Sequence, residues 1–353
     1  MLDAVHHFPL KGKPVFCEPY GEGHINRTYQ VITDQDEWYI LQHINSRVFL
    51  DIGALMENIG AVTRHLAKKD SNPRHTLTIV PTLHGKDYYV DEAGQSFRMY
   101  IFVRDSLCLQ QPEDPQDLYR SGLAFGRFQR QLADFPAAQL HHTIENFHNT
   151  PDRYRKFHEA RRANPQNRLK DVQPEVDFAL ERENRAGRLQ AMQQQGLLLT
   201  RVTHNDTKLN NVLLDAVTRD PLCVIDLDTV MPGLAAHDFG DTIRFGASTA
   251  AEDEKDLSLV TLSLEQYESY ARGFLKECGA SLNQDEIATL HEGAWAMTLE
   301  CGVRFLTDYL MGDTYFRIHR PEHNLDRCRT QFKLVADMES KWQQMEEVIG
   351  KLS

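Results

Sequence analysis

A disulfide framework is the first thing this sequence lacks. Its six cysteines stand far apart, at 17, 108, 223, 278, 301 and 328, with no Cys-x-x-Cys pair among them. A stapled secreted scaffold is therefore not expected. The first seven residues lack the basic flank and apolar core of a secretory signal, so a cytoplasmic thiol protein is expected. No apolar run reaches the roughly 18–20 residues that cross a bilayer, so no membrane association is expected. Positive charge is also scarce: 39 Lys and Arg against 51 Asp and Glu give a net charge of −12. That balance argues against a general binder of nucleic acid or acidic membrane, since both are polyanions. Internal repeats and low-complexity segments are missing too, and no protein partner is implied. A sulfatase signature fails on one residue. Cys17-Glu-Pro-Tyr-Gly21 has proline two places after the cysteine, but glycine where arginine is required.

What is present fits a folded, two-part protein. Hydrophobic residues make up 41% and charged residues 25% of the chain. A length of 353 residues exceeds one small core, so two lobes are expected. β-Branched and aromatic runs bounded by Gly and Asp predict strands across 14–44. Ile52, Leu55, Met56, Ile59, Val62 and Leu66 recur at helical spacing and predict one amphipathic helix, ended by Asp70-Ser-Asn-Pro73. Three strand-like runs follow at 77–80, 87–90 and 97–103. From 115 the pattern turns helical, with Leu118, Phe125, Phe128 and Leu132 on one face. A helix is expected within 174–195, and the last one across 324–347. The expected class is α+β, with a sheet-rich lobe at 1–103 and a larger, mainly helical lobe at 104–353.

The chemistry concentrates between 201 and 228. Asp206, Lys208 two places on and Asn211 five places on sit in a polar loop between apolar runs. This is the spacing of a kinase catalytic loop. A γ-phosphoryl group in transfer spreads negative charge over three oxygens, so its catalyst needs positioning and neutralising groups. Asp206 suits the acceptor hydroxyl, and Lys208 suits the transferring phosphate. Asn211, and Asp226 at the end of the apolar run 222–225, offer the hard oxygen ligands that Mg²⁺ prefers. A lone Asp or Asn here would be a turn residue. The joint pattern of His204, Asp206, Lys208, Asn211 and Asp226 points to a site. Asp238-Phe-Gly240 imitates the protein-kinase metal triplet, yet it follows Pro232-Gly233 and opens a helix. Asp238 is therefore expected to brace the catalytic loop.

Other candidates are less specific. Gly21 and Gly23 form a turn able to bring backbone N–H groups close to phosphate. His24 and Asn26 fit either a ligand or the turn backbone. The third strand carries Gln42 and His43 where a protein kinase has Lys. An adenine ring would sit against the backbone from Tyr100 through Phe102 to Val103. His141, His142 and His148 have no carboxylate at metal-ligand spacing and are expected on the surface. Arg304 falls near an apolar helix face and needs a carboxylate or phosphate partner if buried, so an ion pair and a substrate contact both fit it.

These segments resemble the aminoglycoside phosphotransferase and choline kinase superfamily. The strings at 18–26, 201–214, 224–229, 238–241, 244–249, 300–306 and 321–325 resemble, within it, the N-acetylhexosamine 1-kinases over nearly the whole chain. The resemblance implies a bilobal protein-kinase-like fold and phosphorylation, by ATP with Mg²⁺, of the anomeric hydroxyl of N-acetylglucosamine or N-acetylgalactosamine. It implies Asp206 as base, with Lys208 beside it, and Asn211 and Asp226 as Mg²⁺ ligands. Gly21, Gly23, Asn26, Tyr100 and Phe102 would face the nucleotide. His24, Asp206, Asp226, Arg304 and Tyr315 would face the small-molecule amino sugar. Gln42 follows the pattern of this family. Two alternatives stay open: a kinase for choline, homoserine or an aminoglycoside, and an inactive nucleotide-binding regulatory protein.

Overall fold

The computed structural model describes residues 3–21 and 25–353. The N-terminal β-branched and aromatic runs form β1 (Pro14–Pro19), β2 (Arg27–Thr33) and β3 (Trp38–Ile44). Helix α1 (Ile52–Lys69) follows, then β4 (Tyr89–Val90), β5 (Ser96–Ile101) and β6 (Ser106–Cys108). Helices α2 (Pro115–Gln131), α3 (Thr150–Ala163), α4 (Gln173–Ala186) and α5 (Arg188–Gln194) lead to β7 (Arg201–Thr203), β8 (Val212–Asp215) and β9 (Pro221–Val224). A short strand β10 (Met231–Gly233) follows, and then the helices α6 (Ala235–Gly246), α7 (Leu264–Cys278), α8 (Gln284–Ala288), α9 (Leu290–Met311), α10 (His323–Ser340) and α11 (Trp342–Leu352).

The chain forms two compact units that interleave along the sequence. One comprises Met1–Cys108, Asp134–Glu145 and Asn211–Pro232, and the other Leu109–Ala133, Asn146–Asn210 and Gly233–Ser353. In the first, an antiparallel sheet runs in the order β1-β2-β3-β5-β4. Val31, Leu41 and Met99 pack with Val5 and Phe8 on its apolar side. A second sheet runs β6-β8-β9. Helix α1 starts at Asp51, whose carboxylate accepts the Ala54 N–H, and ends with Lys68 and Lys69 against the helix dipole. Its buried Asn58 explains why 134–145 and 211–232 join this unit. The Asn58 amide donates to the carbonyls of His141 and Val230, and its oxygen accepts the His141 N–H.

The second unit is built around α9, a 22-residue helix buried on nearly every side. Helices α3, α6 and α10 pack on it. The α6–α9 contact is so close that a Cβ on Gly240 would lie 2.2 Å from the Gly293 carbonyl oxygen, so only glycine fits there.

Three expectations change in detail. The run at 77–80 is not a strand; it makes an isolated bridge from Ile79 to Tyr100, with Val80 N–H donating to the Met99 carbonyl. The helix expected within 174–195 breaks at Gly187, a poor helix former, into α4 and α5. The last helix breaks at Lys341, whose ammonium donates to the Leu262 carbonyl and to Asp337. All six cysteines are free thiols. No helix among the described residues is long and apolar enough to cross a membrane.

Candidate active site

The loop after β7 is held from below by α6, within one unit. Asp238 accepts the backbone N–H groups of His204 (2.9 Å) and Asn205 (2.8 Å) and the Gln129 amide (2.7 Å). Burial pushes the Asp238 carboxyl up from its ordinary range, and these donors offset that only in part. Thr207 N–H donates to Asp241 (3.0 Å), and Thr242 Oγ1 donates to the Thr207 carbonyl (2.7 Å). Asp238 therefore braces the loop, as its place after Pro232-Gly233 suggests, and lies inside α6.

Within this frame the backbone is locally strained. Asn205 has φ +64°, a left-handed conformation that costs a non-glycine residue free energy. His204 is fully buried against the ring edges of Phe125 and Phe128, and its Nδ1 accepts the Asp206 N–H (3.3 Å). The result fixes the Asp206 backbone while leaving its side chain partly open to solvent. Lys208 Nζ lies 2.9 Å from the Asp206 carboxylate. That carboxylate holds the ammonium above its ordinary range against the pull of burial, so Lys208 is a fixed cation.

Asn211 and Asp226 belong to the other unit and share one end of the β8–β9 hairpin. The register pairs Val212 with Val224, and Ile225 N–H donates to the Asn211 carbonyl (2.9 Å). Asn211 is buried, and Asp226 is exposed with φ +58°. One amide oxygen and one carboxylate make a small, hard donor set. Among the described residues no group of three or more His, Cys, Asp or Glu could hold a metal. An amide oxygen and a carboxylate at one hairpin end could serve a hard cation whose other ligands are water and phosphate.

Two places after Asp226, Asp228 is buried in an ion pair with Arg98 from β5. Arg98 donates through Nη1 and Nη2, and Asn26 Nδ2 donates to the same carboxylate. Burial works against the guanidinium charge, and the Asp228 charge outweighs it. Arg98 Nε also donates to Gln42 Oε1 (2.9 Å), the side chain that replaces the third-strand lysine. Asn26 has its oxygen occupied as well, by the Asn45 N–H (2.9 Å), so it ties the β1–β2 loop to Asp228 and to residue 45.

The remaining candidates fall as follows. Gly21 has φ +74° and open space where a Cβ would be. Gly23 and His24 lie outside the described residues. The Tyr100 ring is buried, so only its backbone could meet a ligand. The Ile101 and Phe102 N–H groups donate to the carbonyls of Thr78 and Trp38. The Phe102 ring meets Tyr20 and Trp38 edge-on, and Tyr20 is exposed. In the helical unit, the half-buried Arg304 guanidinium lies 5.3 Å from the centre of Phe316 and 5.9 Å from that of Phe147. Tyr315 is exposed and packs edge-on against Phe316 (4.8 Å). The turn that carries Tyr315 is held by Asp308, which accepts the N–H groups of Thr314, Tyr315 and Phe316.

One expectation is overturned outright. His141 and His142 are exposed, but His148 is not on the surface: its ring is drawn inward by the buried Glu300 carboxylate, 3.0 Å away. Sequence reasoning also passed over Arg98, Asp228 and Glu300. The first left a signal, an arginine inside a strand whose neighbours are all buried.

The sequence matches the model of the phosphotransferase enzyme family over residues 17–274. Solved structures share the fold at low identity. A microcompartment-associated aminopropanol kinase is 16% identical with a TM-score of 0.62, covering 97% of each chain. An aminoglycoside phosphotransferase from Alicyclobacillus acidocaldarius is 12% identical with a TM-score of 0.64, covering 98% of this chain and 96% of that one. The amicoumacin kinase hAmiN, in complex with AMP-PNP, Ca²⁺ and Ami, is 13% identical with a TM-score of 0.61, covering 96% and 91%. The sheet-rich part followed by a mainly helical part is thus the protein-kinase-like fold of these enzymes. With the Asp206 loop braced from α6 and the family match spanning most of its length, the chain belongs to the phosphotransferase enzyme family.

Proposed function

We propose that this phosphotransferase moves the γ-phosphoryl group of ATP to the anomeric 1-hydroxyl of an N-acetylhexosamine. The observation that carries the reaction is the braced loop, which fixes the Asp206 backbone and sets its partly exposed carboxylate beside a cationic Lys208. Asp206 takes the acceptor hydroxyl proton as the oxygen attacks phosphorus. The bond from phosphorus to the ADP oxygen breaks, and ADP leaves with its electron pair. Lys208 meets the charge on the transferring group. Asn211 and Asp226 would hold Mg²⁺, which when bound neutralises nucleotide phosphates. The AMP-PNP and Ca²⁺ of the amicoumacin kinase complex support a nucleotide with a divalent cation here. Gly21, Gly23 and Asn26 would shape the phosphate loop, with the adenine against Tyr100 and Phe102.

The sugar assignment rests on the longer strings, above all 244–249, 300–306 and 321–325. Arg304, Tyr315 and His24 would bind sugar hydroxyls. A second reading has a specific support: the aminopropanol and aminoglycoside enzymes point to an amine-bearing acceptor. Against it, Phe147 and Phe316 already carry the Arg304 guanidinium, so they offer no vacant aromatic cage to a cation. ADP release with Mg²⁺-ATP across N-acetylglucosamine, N-acetylgalactosamine, choline, homoserine and kanamycin separates the readings. Turnover restricted to the amino sugars supports the first. Turnover restricted to the amines replaces it with the second.

A further inference from the structure

We propose that His148 is a positioning residue for Asp206: as an imidazolium held between Glu300 and the Asn205 carbonyl, it fixes the peptide on which Asp206 stands, and it releases that peptide on losing its proton. The inference rests on the reading of Asp206 as the acceptor base.

The geometry defines the proton state. His148 Nδ1 faces Glu300 Oε1 at 3.0 Å, and Nε2 faces the Asn205 carbonyl oxygen at 3.2 Å. A carboxylate and a carbonyl only accept, so both ring nitrogens must donate. Imidazole carries two N–H groups only in its charged form. The pair is shielded from solvent, with the His148 side chain 10% and the Glu300 side chain 2% exposed. The second Glu300 oxygen accepts Thr150 Oγ1 (2.7 Å). Burial alone would raise the Glu300 carboxyl, but the His148 bond and charge, with Arg153 and Arg304, hold it at about 2.

Glu300 from α9 and His237 from α6 face the His148 ring, and Arg304 from α9 and Arg153 from α3 act on Glu300. The His237 ring is centred 5.4 Å from that of His148, is buried, and has neither nitrogen hydrogen-bonded. Burial first, then the His148 charge, push it down to about 3. His237 is therefore the neutral ring of the two.

His148 adds a bond to the carbonyl of Asn205, a residue already held on other sides. Asp238 takes the Asn205 N–H, and Thr203 binds its side-chain oxygen. The Asn205 side-chain Nδ2 donates to the Thr203 carbonyl (3.3 Å), and the Asn205 carbonyl, in a residue held at φ +64° immediately before Asp206, faces His148. Losing that bond lets the left-handed peptide relax and moves the base. A misplacement of about 1 Å at a reacting group costs up to roughly 100-fold in rate.

The test compares kcat against pH for the wild type, His148→Gln and Glu300→Gln, with side-chain ¹⁵N NMR of His148 and thermal melting. In the wild type, both His148 nitrogens carry protons at neutral pH, and kcat falls on the alkaline side. Glu300→Gln removes the counterion and moves that fall to lower pH by about one unit or more. His148→Gln lowers kcat about tenfold, with the KM for ATP unchanged, and abolishes the alkaline fall. A neutral His148 in the wild-type NMR spectrum overturns the clamp whatever the enzyme turns over. Unmoved pH profiles in both variants, or rate losses that only track the melting temperature, overturn the positioning role. A doubly protonated His148 in a protein that phosphorylates none of the acceptors above overturns the proposed acceptor and leaves the clamp geometry standing.

Discussion

In each compact unit a buried carboxylate paired with a cation lies near a candidate functional acid, and two of these cations differ in kind. In the sheet-rich unit, Asp228 is gripped by Arg98 and Asn26, two places after the exposed Asp226. In the helical unit, Glu300 is gripped by His148 and Thr150, and His148 reaches on to the residue before Asp206. Arginine stays charged at every working pH, so the first grip is permanent. Histidine titrates, so the second can be released. Under this account the metal end of the reaction is insensitive to mild pH change, and the base end is sensitive.

The largest effect breaks the base end itself. Asp206→Asn should lower kcat by about 10²–10⁴-fold, with ATP binding by calorimetry little changed. Breaking the permanent grip comes next. Arg98→Met leaves Asp228 charged, buried and unpaired, and should cost about 3–5 kcal/mol in urea unfolding. Replacing both, Arg98→Met with Asp228→Leu, should recover much of that loss.

Acid separates the groups further. Glu300 is held at about 2 against an ordinary 4.5, so its contribution is full above 4.5 and is lost as pH falls from 4.5 to 2. The loss amounts to about 3 kcal/mol. His237 is held at about 3 against an ordinary 6.5, so the unfolded chain takes up its proton first. Stability then also declines as pH falls from 6.5 to 3. Urea midpoints measured against pH should flatten in the lower window for Glu300→Gln and in the upper one for His237→Leu. The smallest effect is Thr150→Val, which removes one donor to Glu300 and should cost about 1–2 kcal/mol. A Thr150→Val protein as unstable as Arg98→Met would erase the contrast between the two grips.

Much of this was legible in the sequence where a pattern is local. The 3.6-residue apolar repeat at 52–66 became α1, and β1, β2 and β3 fell within the β-branched runs of 14–44. The closeness of Asp206 and Lys208 was readable because both lie in one loop, and the place of Asp238 because Pro232-Gly233 marks where a helix can start. The remainder depends on pairs far apart in the chain. Arg98 and Asp228 are 130 positions apart, and His148 and Glu300 are 152 apart. No spacing rule connects such residues, and with no carboxylate at ligand spacing His148 was expected on the surface. The breaks at Gly187 and Lys341 were missed for a related reason. A helical apolar stripe can continue across one irregular residue, and the Lys341 break is fixed by the distant Leu262 carbonyl.

The central claim is phosphoryl transfer to an anomeric oxygen, and the product tests it most directly. Phosphorus NMR of a reaction containing N-acetylglucosamine, ATP and Mg²⁺ should show a new phosphate ester signal coupled to the sugar H1 proton. Phosphate coupled instead to H6, or ADP formed with no sugar ester, would contradict it.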